Sequence, residues 1–192
     1  MTIAAGFADP ALDAQATFRC VLEAIAHPGR IVMAPEKLPA APAPLLAPAY
    51  ATALTLLDFE TPLWVDPSLA TRTVIESLRL QCGCPIVEQT KASFALLAGS
   101  GAPLAAFNRG TPEYPDRSAT LIWQVAGLEA DRGMRLTGPG IRTSTRLQVD
   151  GLPGDFRAQW ATNHQQFPLG VDVMFVTTDR MAALPRSIEA QA

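Results

Sequence analysis

Gly138-Pro139-Gly140, followed at once by Arg142, Thr143, Ser144, Thr145 and Arg146, gathers more groups able to meet a ligand than any other stretch of this sequence. Glycines let a ligand approach the backbone closely, and guanidinium and hydroxyl groups donate to oxyanions. Gly138, Gly140, Arg142, Thr143 and Arg146 are therefore candidate contacts for an anion or a nucleotide. The stretch lacks the lysine and the spacing of a P-loop, and Thr143 stands where a dinucleotide fingerprint wants its third glycine. A purely structural turn is the competing reading, and both stay open at this point.

Other sets of reactive side chains are incomplete. Of 15 basic residues only Lys37 and Lys91 are lysines, one in a proline-rich stretch and one in a polar turn, so a Schiff-base lysine has few places to come from. Cys82-x-Cys84, with Cys20, His27 and His164, has neither paired two-residue spacing nor a His-x3-His element, and reads as reduced thiols rather than a metal site. Gly99-Ser100-Gly101 is not a nucleophile elbow, and His27, just before Pro28, suits capping a helix end better than base catalysis. Asp58 and Glu60 precede Thr61-Pro62 and read as a solvated turn. Asp172 differs, because a carboxylate in an apolar strand needs hydrogen bonds or a cation. Asp172, Trp64 and Phe167 are candidate structural or interface residues, with Trp123 and Trp160 read as core. No catalytic residue, metal ligand or cofactor is expected from these patterns.

Elements that would position these residues follow from periodicity. Phe18, Val21, Leu22 and Ile25 predict an amphipathic helix over 14–26 with those four facing inward, stopped by Pro28-Gly29. A short strand at 31–33 and a proline-rich loop lead to 45–57, apolar on nearly every face and predicted to be a central buried helix. Then come a strand at 63–65, a helix over 73–80 with Val74, Ile75 and Leu78 inward, and short strands at 85–87 and 94–97 that could form a hairpin. The runs 119–125 and 171–176 are apolar and β-branched, as strands covered on both faces are, and should form the centre of the sheet. Weaker strands at 134–137 and 146–149 flank the Gly138 turn. Asp155 can cap a helix presenting Phe156 and Trp160, and a last short helix is expected near 180–184. The fold class is α/β, a three-layer mixed β-sheet with helices on both faces, in a single domain over 1–192.

Composition narrows the partners. With 48% hydrophobic and 17% charged residues the chain can bury enough apolar surface to fold, and a net charge of -3 with scattered arginines gives no footprint for nucleic acid. Asp9 and Asp13 interrupt the N-terminal stretch before the first basic residue, Arg19, so no signal peptide is expected and the address reads as cytoplasmic. Residues 38–57 are uncharged, yet four prolines among them exclude a membrane span.

Several stretches in order resemble the PhnH family of the bacterial carbon-phosphorus lyase complex. They begin with Phe18-Arg19 and Ala26-His27-Pro28-Gly29, and continue with Leu56-Leu57-Asp58, Glu60-Thr61-Pro62-Leu63-Trp64, Gly110-Thr111, Pro115 and Ser118-Ala119-Thr120-Leu121. The most specific are Leu136-Thr137-Gly138-Pro139-Gly140-Ile141 and Phe167-Pro168-Leu169-Gly170-Val171-Asp172, with Ala183-Leu184-Pro185-Arg186 closing the series. The resemblance implies a fold similar to the large domain of PLP-dependent transferases but without PLP, and a complex with PhnG, PhnI and PhnJ homologues. In that family setting, subunits G, H and I with an ATPase-like partner displace adenine from ATP by a phosphonate, giving a ribose 1-phosphonate 5-triphosphate. Radical cleavage of the carbon-phosphorus bond belongs to PhnJ. The family role expected here is that of a structural or assembly subunit, the alternative being a nucleotide- or phosphonate-binding catalytic subunit that uses the Gly138 turn. A homodimer is expected when the chain is isolated, since a surface made for partners tends to be apolar.

Overall fold

Two aspartates start the first helix. The computed structural model describes residues 4–99 and 101–191, and in it α1 spans Pro10–Ala26. Asp9 accepts the Leu12 N–H at 3.1 Å while Asp13 accepts the Asp9 N–H at 2.9 Å, a reciprocal cap that satisfies two backbone donors left over at the helix start. The inward face differs from the expected one. Asp13, Thr17, Val21 and Ala24 are buried, whereas Phe18, Leu22 and Ile25 are 43%, 49% and 42% exposed. Small side chains line the contact, with Thr17 donating to the Asp13 carbonyl at 2.9 Å, so α1 sits close to its neighbours and turns its larger apolar residues outward.

Helix α2, Ala47–Leu56, is buried from Pro48 through Ala53, as its uninterrupted apolar run predicts. Thr52 is tolerated there because its hydroxyl donates to the Pro48 carbonyl at 2.8 Å. Helix α3, Arg72–Cys82, is capped by Thr71, which accepts the Val74 N–H at 3.3 Å, and buries Val74, Ser77 and Leu78. Helix α4 is Phe156–Gln165. Asp155 occupies its N-cap position without making a side-chain cap bond, because its backbone (ψ 3°) lacks the extended shape that aims a cap side chain at the helix.

In chain order the strands are β1 Val32–Met33, β2 Leu63–Val65, β3 Phe94–Ala98, β4 Thr120–Gln124, β5 Gly127–Thr137, β6 Thr145–Asp150, β7 Asp172–Val176, β8 Arg180–Leu184 and β9 Glu189–Gln191. Six of them make a mixed sheet in the order β1-β8-β7-β4-β3-β2. Strands β2, β3, β4 and β7 run parallel, and β8 is antiparallel to β7 and β1. β4 and β7 lie side by side in the middle, where the two apolar runs were expected.

Alternation along these strands builds one core on each face of the sheet. Leu97, Leu121, Trp123, Val173 and Phe175 point into the core shared with Phe156 and Trp160 of α4. Leu96, Ile122, Met174 and Val176 point into the other, shared with Val21, Tyr50, Val74 and Leu78 of α1 to α3. The result is α/β with a mixed sheet between two outer layers.

Two further expectations are corrected. Residues 180–184 form β8 rather than a helix: Met181, Ala182, Ala183 and Leu184 favour helix intrinsically, but pairing between β1 and β7 buries all four and overrides that preference. The segments 85–87 and 94–97 do not form a hairpin, since Leu63 of β2 lies between Ile86 and Phe94 and pairs parallel to both. Helices lie on both faces of the mixed sheet as expected, and the layer that holds α4 also carries a separate three-stranded sheet, β6-β5-β9, antiparallel throughout.

Candidate functional site

The Gly138 turn is the connection of the β5–β6 hairpin, and it is pressed against the end of α1. Gly140 has φ +83° and lies so close to the Ala26 carbonyl and the Pro28 ring that a Cβ would collide with both. A Cβ on Gly29, at φ +80°, would likewise fall 2.7 Å from the side chains of Leu136 and of Thr145. These two glycines let the chain after α1 and the hairpin loop meet, and beside their contact opens a cleft of about 480 Å³. His27, Arg30 and Ile31 line one side, and Ile141, Arg142, Thr143 and Ser144 the other.

Only part of the predicted anion set converges there. Gly140, Arg142 and Thr143 line the cleft. Gly138 packs on Ser187 and Ile188 instead, and Arg146 points along the hairpin to donate to the Gly133 carbonyl at 2.9 Å. Strand alternation separates them: Arg142 is in the loop, while Arg146 is committed to the face that β6 dictates. Glu23 takes the Arg30 guanidinium as its ion-pair partner and lies 3.4 Å from His27 Nδ1. His27 sits at the C-cap of α1, where its Nδ1 also lies 3.2 Å from the Glu23 carbonyl.

Asp172 meets a cation at the start of β7. Its carboxylate forms a fork with Arg186, including Nε contacts of 3.1 Å to both oxygens, and accepts the Arg186 backbone N–H at 2.7 Å. Arg186 Nη1 also donates to the Pro115 carbonyl at 2.8 Å, and His164 Nδ1 lies 3.0 Å from the Arg186 carbonyl. One half-buried pair thus fastens β7, the end of β8, the loop before β4 and the last turn of α4. Arg186 is the partner that the sequence patterns did not single out.

Trp64 is half-buried in β2 and meets Phe107 edge-on, with centroids 5.4 Å apart. Phe167 is exposed at the cis bond to Pro168. Trp123 and Trp160 are fully buried around Phe156, and the Trp160 indole donates to the Ile188 carbonyl at 2.9 Å. Asp58 accepts the Glu60 N–H and the Thr61 hydroxyl, and these bonds, Thr61's foremost, hold its carboxyl below the usual range.

The thiols and lysines fall elsewhere. Cys82 and Cys84 are adjacent at the end of α3; their mutual hydrogen bond and then burial push the Cys82 thiol far up, while the same bond draws Cys84 down. Among the described residues no group of three or more His, Cys, Asp or Glu side chains is placed to hold a metal ion. Lys37 is exposed, and Lys91 is exposed and lies 3.7 Å from Glu88. Ser100 lies outside the described residues. No helix among those described is long and apolar enough to cross a membrane.

Similarity to known proteins extends over almost all of this framework. Residues 5–191 match the family model described as bacterial phosphonate metabolism protein (PhnH). A Rhizobium meliloti (strain 1021) protein named alpha-D-ribose 1-methylphosphonate 5-triphosphate synthase subunit PhnH is 34% identical over 188 residues, covering 96% of this chain and 94% of that protein. HtxG of Stutzerimonas stutzeri, provisionally named a C-P lyase subunit protein, is 31% identical over 173 residues, covering 90% of this chain and 83% of its own length.

Proposed function

Since this chain belongs to the PhnH family of bacterial phosphonate metabolism proteins, we propose that it is a subunit of a carbon-phosphorus lyase assembly, supporting formation of a ribose 1-phosphonate 5-triphosphate from ATP and a phosphonate. The observation that carries this reading is similarity along nearly the full chain to a protein named as a subunit of the corresponding synthase. The side chains favour a structural contribution: the strongest polar constellation, Asp172 with Arg186, is consumed in fastening four elements together. Its partners in this reading are PhnG, PhnI and PhnJ homologues, in the cytoplasm. Residues 1–192 act as one domain, which the two cores on opposite faces of a common sheet support.

The same membership supports kinship with the large domain of PLP-dependent transferases, stripped of the cofactor. The mixed sheet fits that kinship, as does the surface setting of both lysines. The apolar side chains that α1 turns outward, Phe18, Leu22 and Ile25, support a surface kept for other chains, and a homodimer when those are missing. Trp64 and Phe167 remain candidates for the rim of such contacts.

The test is phosphonate-dependent adenine release by the assembly purified with and without this chain. Loss of release on omission, restored by adding the purified chain back, is the expected result. Undiminished release in its absence would rule the role out.

A further inference from the structure

The cleft beside the Gly138 turn has more donors than the protein itself uses. Among the described residues the backbone N–H groups of Arg142, Thr143 and Ser144 reach no protein acceptor. The hydroxyls of Thr143, Ser144 and Thr145 make no hydrogen bond there either, and the Arg142 guanidinium has no acidic partner. Consecutive amides without a protein acceptor, beside an arginine without an acidic partner, can offer an oxyanion hydrogen bonds and charge. The opposite wall is different. Arg30 is neutralised by Glu23, and the carbonyl end of α1 carries partial negative charge. An oxyanion is therefore drawn to the 142–145 side, leaving Pro28, Ile31 and Ile141 as an apolar surface for the remainder of a ligand. The Gly29 and Gly140 contacts fix the two walls relative to each other, so the site exists before the ligand arrives. At about 480 Å³ the cleft matches a small organic molecule.

We propose that this cleft binds the terminal phosphoryl or phosphonyl group of a small organic oxyanion, with Arg142 supplying the charge and the amides and hydroxyls of 142–145 the hydrogen bonds. The oxyanion chemistry stands on those donors alone. The choice of phosphorus over other oxyanions rests on the functional reading above.

The experiment is amide-resolved NMR titration of the full chain with inorganic tripolyphosphate, methylphosphonate and sulfate in turn. Saturable shifts centred on 142–144 are expected with a phosphorus oxyanion. Tighter binding of tripolyphosphate assigns the cleft to a polyphosphate end, and tighter binding of methylphosphonate to a free phosphonate. Arg142→Ala, at an exposed position, should weaken binding about tenfold or more. Arg109→Ala, at another cavity, should leave it unchanged. Thr143→Val with Ser144→Ala gives an independent reading should Arg142→Ala lower the melting temperature. No saturation at millimolar concentrations, equal affinity for sulfate, or undiminished binding in Arg142→Ala would each overturn the proposal. Entry of the unsubstituted chain into the multisubunit assembly is scored separately: absence of oxyanion binding by a chain that assembles removes this site alone, and binding by a chain that joins no assembly removes the functional reading alone.

Discussion

Asp172 and Arg186 show what a carboxylate requires when it opens an apolar strand. The pair is only partly exposed, its bonds are charge-assisted, and removing the Arg186 side chain leaves the carboxylate with only the backbone N–H of residue 186 and the Pro115 carbonyl without its donor. Arg186→Ala should cost about 2–3 kcal/mol in chemical denaturation. Arg180→Ala, which breaks only an exposed pair with Asp179, should change stability by less than about 0.5 kcal/mol. Equal losses would show that the fork has no special weight. Buried acids of another kind set the alkaline limit. Burial foremost, with Cys82 beside it, pushes Tyr50 from 10.0 up to about 12, and Cys82 is raised well above its ordinary 9.0 by the Cys84 hydrogen bond and burial. Both groups are held neutral by the fold, so their contribution is complete below pH 9 and is lost as pH rises through 10 and beyond, where unfolding lets them ionise. Melting temperature should be level near pH 8 and fall steeply above pH 10; a level profile to pH 11 would contradict these settings.

At the scale of elements, the legible parts were those whose pattern is local. The two apolar runs at 119–125 and 171–176 announced central strands, found at 120–124 and 172–176, and the apolar run at 45–57 announced α2. What failed depended on distant partners. Residues 180–184 carry helix-forming side chains, and only their position between β1 and β7 makes them a strand. That one misreading also concealed Arg186: once β8 is antiparallel to β7 with Leu184 opposite Val173, the chain after β8 must return to Asp172. The outward face of α1 had the same cause, because periodicity finds an apolar stripe without saying which stripe the neighbours cover. The Gly138 stretch was legible as a turn, but its wall from 27–31 was not, since nothing local joins α1 to the hairpin. That junction is testable. Gly140→Ala must adopt an unfavourable φ and displace the Ala26 carbonyl or Pro28, and should cost about 1–3 kcal/mol. Gly154→Ala, with open space around it, should be near neutral. A harmless Gly140→Ala would mean that the two segments are not held together.

For the whole molecule, the layered fold partly buries the Asp172–Arg186 pair and turns the larger apolar side chains of α1 outward, an arrangement suited to contact with other chains. Isolated, the chain should scatter light as a dimer at tens of micromolar, and a monomer mass would count against an apolar face held for other chains. The most direct test is native mass spectrometry of this chain co-expressed with the PhnG, PhnI and PhnJ homologues of its own organism. The account predicts a stable mixed assembly that contains this chain in fixed ratio to the others. An assembly of the other three that never includes it, with this chain recovered free, would contradict the subunit role.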